Sequence, residues 1–212
     1  MSENTASEIS RRAVIASAAI IPVAALTAAA QTSVPTPTPA ASALSDMQLR
    51  LLAAFTDRII PKDDLGPSAS ESGVPEYINR ALGDYLAGEK PAFIEGLEAT
   101  DTFARRSQTR AFIELPSDKQ DAVLTAMESG NAEGFANARA FFNRARRLTM
   151  EGMFGDPYYG GNKNFAGWDL IRYPGPRMAT SADDQKMGVE IKPYHHSAYG
   201  AGGGHSDENH GH

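Results

Sequence analysis

The sequence predicts an all-α domain, and three observations carry that prediction. Between residues 45 and 153 apolar residues recur at spacings of three and four, the period that gathers them on one face of a helix. Two strings, "SDMQ" at 45–48 and "SDKQ" at 117–120, have the serine-to-glutamine spacing of a capping box, in which each side chain satisfies a backbone N–H at a helix start. No run of alternating β-branched residues is long enough for a strand, and no internal repeat is present. The expected architecture is a small helical domain of about five helices, closed by an irregular wrap rich in glycine and aromatics.

A first helix follows Ser45, with Leu51, Leu52, Phe55, Ile59 and Ile60 on its buried face, and Pro61 stops it. The loop after it crowds Asp63, Asp64, Ser68, Ser70 and Glu71 together. It lacks the alternating carboxylates and fixed glycine of a calcium loop, so a solvated connection is expected. Pro75 suits the first turn of a second helix, whose apolar stripe runs through Tyr77, Ile78, Leu82, Tyr85 and Leu86. A third helix covers about 92–108, with Phe93, Ile94, Leu97 and Phe103 inward. The fourth starts at the second capping box, buries Val123, Leu124 and Met127, and ends at Gly130, a favourable left-handed cap.

The fifth helix, about 132–153, is the longest expected. Phe135, Ala138, Phe141, Phe142, Ala145 and Leu148 form its core face. Arg139, Arg144, Arg146 and Arg147 concentrate cation on the remainder. Two readings of that face stand side by side: a solvated or internally paired surface, and a docking face for an acidic partner, since arginine is enriched at interface hot spots.

Composition limits the function classes. The 212 residues allow one compact core plus tails. A net charge of −6, with no basic stretch interleaved with aromatics, argues against nucleic acid as a partner. The absence of cysteine excludes disulfides, thiolate metal sites, iron–sulfur ligation, covalent CxxCH haem attachment and a cysteine nucleophile.

The N-terminus carries the most specific local signal. Arg11 and Arg12 stand directly before an alanine-rich apolar run that ends in a small-residue site at Ala28 to Ala30, the pattern of a removable export signal. Paired arginines and modest hydrophobicity fit the twin-arginine route, which moves folded proteins across the bacterial inner membrane. The competing reading is a retained membrane anchor, which Pro22 and the weak insertion tendency of alanine disfavour. The expected compartment is the periplasm, with membrane association only through a complex. After the signal (1–30), the Pro/Thr/Ala-rich stretch 31–44 reads as a linker. The helical domain is expected over 45–176 and a flexible His/Gly-rich tail over 177–212.

Catalytic motifs are lacking: there is no GxGxxG after a strand, no phosphate loop and no HExxH. All five histidines, His195, His196, His205, His210 and His212, lie in the expected tail. A Ser/His/Asp arrangement would therefore have to recruit a floppy segment. The tail reads either as disordered and polar or as a loose transition-metal binder, and no metal ligand is assigned. Asp101, Glu114, Asp121, Glu151, Asp156 and Asp169 are spread over helices and loops, with no pairing that spacing establishes. No catalytic or cofactor-binding residue is assigned in this chain.

The stretch 152–175, "GMFGDPYYGGNKNFAGWDLIRYPG", holds six of the chain's nineteen glycines, three of its seven tyrosines and its only tryptophan. Turn chemistry surrounds Asp156, Pro157, Gly160, Gly161 and Asn162. Two roles are open for its aromatics. Trp168, Leu170 and Ile171 pack inward as a wrap over the core, or Tyr158, Tyr159 and Trp168 anchor a partner.

The string 149–175 resembles the signature of the gluconate 2-dehydrogenase subunit 3 family. The segments "LLAAFTDRIIPKDDLGPSASESGVPEYINRAL" (51–82) and "FIELPSDKQDAVLTAMESG" (112–130) are similar to its opening and mid-chain helices. The resemblance covers about residues 45–176. It implies a non-catalytic small subunit of a periplasmic complex, with FAD in a large dehydrogenase subunit that oxidises a sugar, sugar acid or polyol. It also implies a multihaem cytochrome c as a further subunit and a twin-arginine signal that serves the large one. The His-rich tail and the segment 176–194 depart from the family pattern. Two other readings stay open: a stand-alone periplasmic enzyme using carboxylates, and a metal-handling module using the tail.

Overall fold

The computed structural model describes residues 42–177 and 179–200. The signal residues Arg11, Arg12, Ala28 and Ala30, most of the linker, and the end of the tail with His205, His210 and His212 lie outside the described residues. Among the described residues the fold is all-α, with six helices and no strand.

Helix α1 (Asp46–Ile59) begins with the expected capping box, Ser45 and Gln48 each satisfying the other's backbone N–H. Its Leu51, Leu52 and Phe55 are buried, as the periodicity requires. Helix α2 (Val74–Gly83) has Pro75 in its first turn and buries Val74, Tyr77, Ile78 and Leu82. It stops at Gly83, short of the expected stripe, so Tyr85 is exposed while Leu86 stays half-buried against the core. The loop between α1 and α2 is more ordered than a solvated connection. Asp57 accepts from the Ser70 N–H and hydroxyl, both at 2.7 Å, and Ser68, Ala69 and Ser72 are buried.

Helix α3 (Lys90–Gln108) turns Phe93, Leu97 and Phe103 inward. Helix α4 (Ser117–Ser129) ends at Gly130 in the left-handed conformation, as expected. Its start differs from the capping-box reading: Pro116 takes the cap position and no side chain caps the helix. Gln120, the expected capping partner, points inward instead and donates from Nε2 to the Phe112 carbonyl at 2.9 Å. A buried carbonyl holds that amide more firmly than an exposed helix start would.

Helix α5 (Ala138–Phe154) starts later than expected. Gly134 has φ 76°, a left-handed conformation that no helix interior accepts, so 132–137 form turns. Phe135 still packs on Phe141, with ring centroids 6.2 Å apart. A sixth helix, α6 (Ala166–Leu170), lies inside the glycine and aromatic stretch. Five helices were expected; this short one follows left-handed residues that pattern reading takes for a loop.

The core gathers around Phe55, whose ring meets Phe112, Phe141 and Phe142 at centroid distances of 6.4, 5.9 and 6.1 Å. Such aromatic pairs add to the burial term that stabilises the domain. Helix α5 packs on α2 and α4, and α1 touches α2, α3, α4 and α5. Arg58 of α1 pairs with Asp121 of α4 through two bonds, 2.7 and 2.8 Å, which fixes the relative orientation of the two helices.

Candidate functional site

The stretch 152–175 closes the C-terminal end of α5, and its sequence oddities follow from that task. A helix end leaves carbonyls without partners. Here the Trp168 indole N–H donates to the Phe154 carbonyl at 3.0 Å, and the Asn162 amide donates to the Gly155 carbonyl at 2.8 Å. The same Asn162 accepts from the Gly167 N–H at 2.8 Å, so one fully buried side chain joins three points of the wrap. Asn162, Asn164 and Phe165 all have positive φ, at 48°, 56° and 61°, an unusual run for residues with a Cβ. It persists because the bonds around it over-determine the backbone.

The glycines permit backbone contact. A Cβ on Gly161 would overlap the Gly152 carbonyl, and one on Gly167 would overlap the Met153 carbonyl. The other side of the wrap rests on α2 and the loop before it. The Lys163 N–H donates to the Ser72 carbonyl at 2.9 Å, and Arg80 donates to the Tyr158 carbonyl at 3.3 Å. The stretch is thus a wedge between α5 and α2.

The side chains proposed from sequence as partner contacts have distinct placements. Trp168 is 4% exposed and packs on Phe165 and Tyr173, so of its two readings the packing one is realised. Ile171, expected inward, is exposed, while Leu170 packs on the core. Tyr158 is half-buried and Tyr159 exposed, and both contact Tyr199, with centroids 5.2 and 5.5 Å away. Arg139 donates to the Glu128 and Ser129 carbonyls and closes the end of α4. Arg144 pairs with Glu89 at 2.6 Å. Arg146 and Arg147 approach Glu128 and Glu151 only at 3.5 and 3.7 Å and remain largely in solvent.

Residues 179–200 depart from the expected flexible tail. Gly175, at φ 87°, turns the chain so that the Tyr194 N–H donates to the Pro174 carbonyl at 2.9 Å. This return brings His195 onto the domain, where its ring stacks on Phe165 at 4.8 Å and its Nε2 lies 2.8 Å from Asp169 Oδ1. The expectation that every histidine stays away from the folded domain is corrected here. Asp156 accepts from the Tyr158 N–H at 2.9 Å and from the Ala198 N–H at 2.8 Å. Asp156 and Asp169 thus hold backbone and the returning segment 179–200, which straps the domain. Asp101 likewise accepts from the Phe112 N–H and Arg105, both at 2.8 Å.

Beside the wedge lies an open groove of about 530 Å³ along the last turn of α5. Its walls include Tyr77, Met150, Phe154 and Tyr159, with Glu151 and Asp156 as its charged residues. The Tyr77 hydroxyl lies 2.8 Å from that of Tyr85 and 3.3 Å from Glu151 Oε2. Burial and then the bond to Tyr85 push its ionisation well above the usual tyrosine range, so it stays a neutral donor. No pattern in the sequence announced this groove, because its walls come from α2, α5 and the wedge. Among the described residues no cluster of His, Asp or Glu is arranged to hold a metal ion, and no helix is long and apolar enough to cross a membrane.

A family model described as gluconate 2-dehydrogenase subunit 3 matches residues 46–175, well over half of the chain. The match spans all six helices and ends with the wedge. No curated protein and no solved structure matches the chain.

Proposed function

The chain belongs to the gluconate 2-dehydrogenase subunit 3 family, and from that membership we propose that it is the non-catalytic small subunit of a periplasmic flavin-dependent dehydrogenase. Its role is to support folding, twin-arginine export and stability of the large subunit, which carries the FAD and oxidises a sugar, sugar acid or polyol. A multihaem cytochrome c is the natural further subunit for electrons leaving the flavin. The observation that carries the reading is the family match across the whole helical domain. Two others support it. The paired Arg11 and Arg12 before an apolar run provide an export signal for a folded complex. The carboxylates Asp101, Asp121, Asp156 and Asp169 are engaged by backbone N–H groups, arginine or histidine, as structural anchors are.

The test is recovery of the tagged chain from periplasm, followed by an absorbance spectrum and a dye-reduction assay. Flavin bands in the eluate, with sugar-dependent dye reduction that the isolated chain lacks, are the expected result. A colourless lone chain, or oxidation of a sugar by the isolated chain, would overturn the reading.

A further inference from the structure

The last turn of α5 has its end carbonyls bonded by the wedge but holds no cation of its own. A helix C-terminus carries partial negative charge and favours a cation nearby. Helices α1, α2 and α3 each have an arginine in the last turn: Arg58, Arg80, and Arg105 with Arg106. Helices α4, α5 and α6 have no basic residue there, but the end of α4 is met by Arg139 from outside it. Helix α5 places Glu151 in that turn and Asp156 just beyond it, so two negative charges sit at that pole, Asp156 also accepting from the Tyr158 and Ala198 N–H groups. Nearby cations do little to relieve this. Arg147 lies one turn back, 3.7 Å from Glu151 and largely exposed, and Arg80 is turned toward the Tyr158 carbonyl.

This negative pole opens into the groove, where Met150 is 44% exposed and Tyr159 41% exposed. Past Tyr159 the apolar surface continues across Tyr158 to Tyr199. Tyrosine faces and carboxylates together suit a guanidinium better than an ammonium, because its planar, weakly hydrated cation stacks on rings and bonds carboxylates.

We infer that this groove docks the partner subunit, through an apolar segment of that subunit carrying an arginine. The cation lies at the end of α5 near Glu151 and Asp156, and its apolar neighbours cover Met150 and Phe154. The inference rests on the reading of the chain as a subunit of a flavoprotein complex, and it goes further by choosing the face and the chemistry. It moves the contact from the arginine face of α5 to that helix's acidic end.

The test coexpresses the full tagged chain with its flavoprotein subunit and reads flavin absorbance per recovered chain. Met150→Asp and Glu151→Lys each lower the recovered flavin roughly tenfold or more, the size of effect expected at a buried hot spot. Leu65→Asp, at a site 78% exposed and outside the groove, leaves recovery unchanged. Melting of each isolated variant checks its fold. The wild-type complex, needing no substitution, weakens as salt is raised. Wild-type recovery by both groove variants, or a complex indifferent to salt, overturns the inference while the small-subunit reading stands. A wild-type chain that recovers no flavin overturns both.

Discussion

Asn162 joins two roles that the sequence shows only as one. Next to Gly160 and Gly161 it reads as a turn residue, and its φ of 48° agrees. Its side chain does more, bonding the Gly155 carbonyl and the Gly167 N–H from a fully buried position. Asn162→Ala leaves both groups without a partner and keeps the unfavourable backbone conformation. The expected loss is about 2–4 kcal/mol of stability, read from urea denaturation of the isolated domain. A loss close to zero would mean that the wedge is not held through this residue. Trp168 was legible as a packing candidate because a large apolar ring has few other uses. The partner of its indole N–H, the Phe154 carbonyl, was not, since it depends on where a helix ends.

At the scale of elements, the helices were legible wherever the apolar period ran uninterrupted, as in α1 and α3. They were missed where backbone conformation decides. Gly134 delays α5, and the left-handed Asn162, Asn164 and Phe165 hide α6. The cation-rich face of α5 shows a different limit. Sequence counts four arginines, whereas the fold commits Arg139 and Arg144 to specific acceptors and leaves Arg146 and Arg147 loosely paired. Exposed pairs of this kind contribute little. The Arg146→Ala, Arg147→Ala double variant is expected to change stability by less than about 1 kcal/mol and to leave flavin recovery intact. Loss of the proposed flavoprotein partner in that variant would restore the arginine face as the contact surface.

Over the whole molecule, acid is the expected route to unfolding. Lys62 and then the Ser68 N–H hold the Glu71 carboxyl below its ordinary 4.5, and Ser181 holds Asp184 below its ordinary 3.8. A carboxyl depressed on folding adds stability above its unfolded value and loses it as pH falls through the folded one. The urea midpoint should therefore be level from neutrality down to about pH 5 and decline below it. Glu71→Gln should flatten part of that decline, modestly, because the group is exposed. A midpoint that rises on acidification through this range would contradict the assignment. Net charge is visible in composition. The groove and the returning strap are not, since both arise only when distant segments meet.

That meeting of distant segments has an expected consequence for the order of folding. Lys163 bonds Ser72 and Arg80 bonds Tyr158, so the wedge can seat only after α2 and α5 stand side by side. Polar contacts that close across such a sequence gap are expected to form after the rate-limiting barrier. Damage at Asn162 should then appear almost wholly as faster unfolding, with the refolding rate little changed. On that outcome the glycine and aromatic stretch is a latch that sets how long the folded domain stays closed.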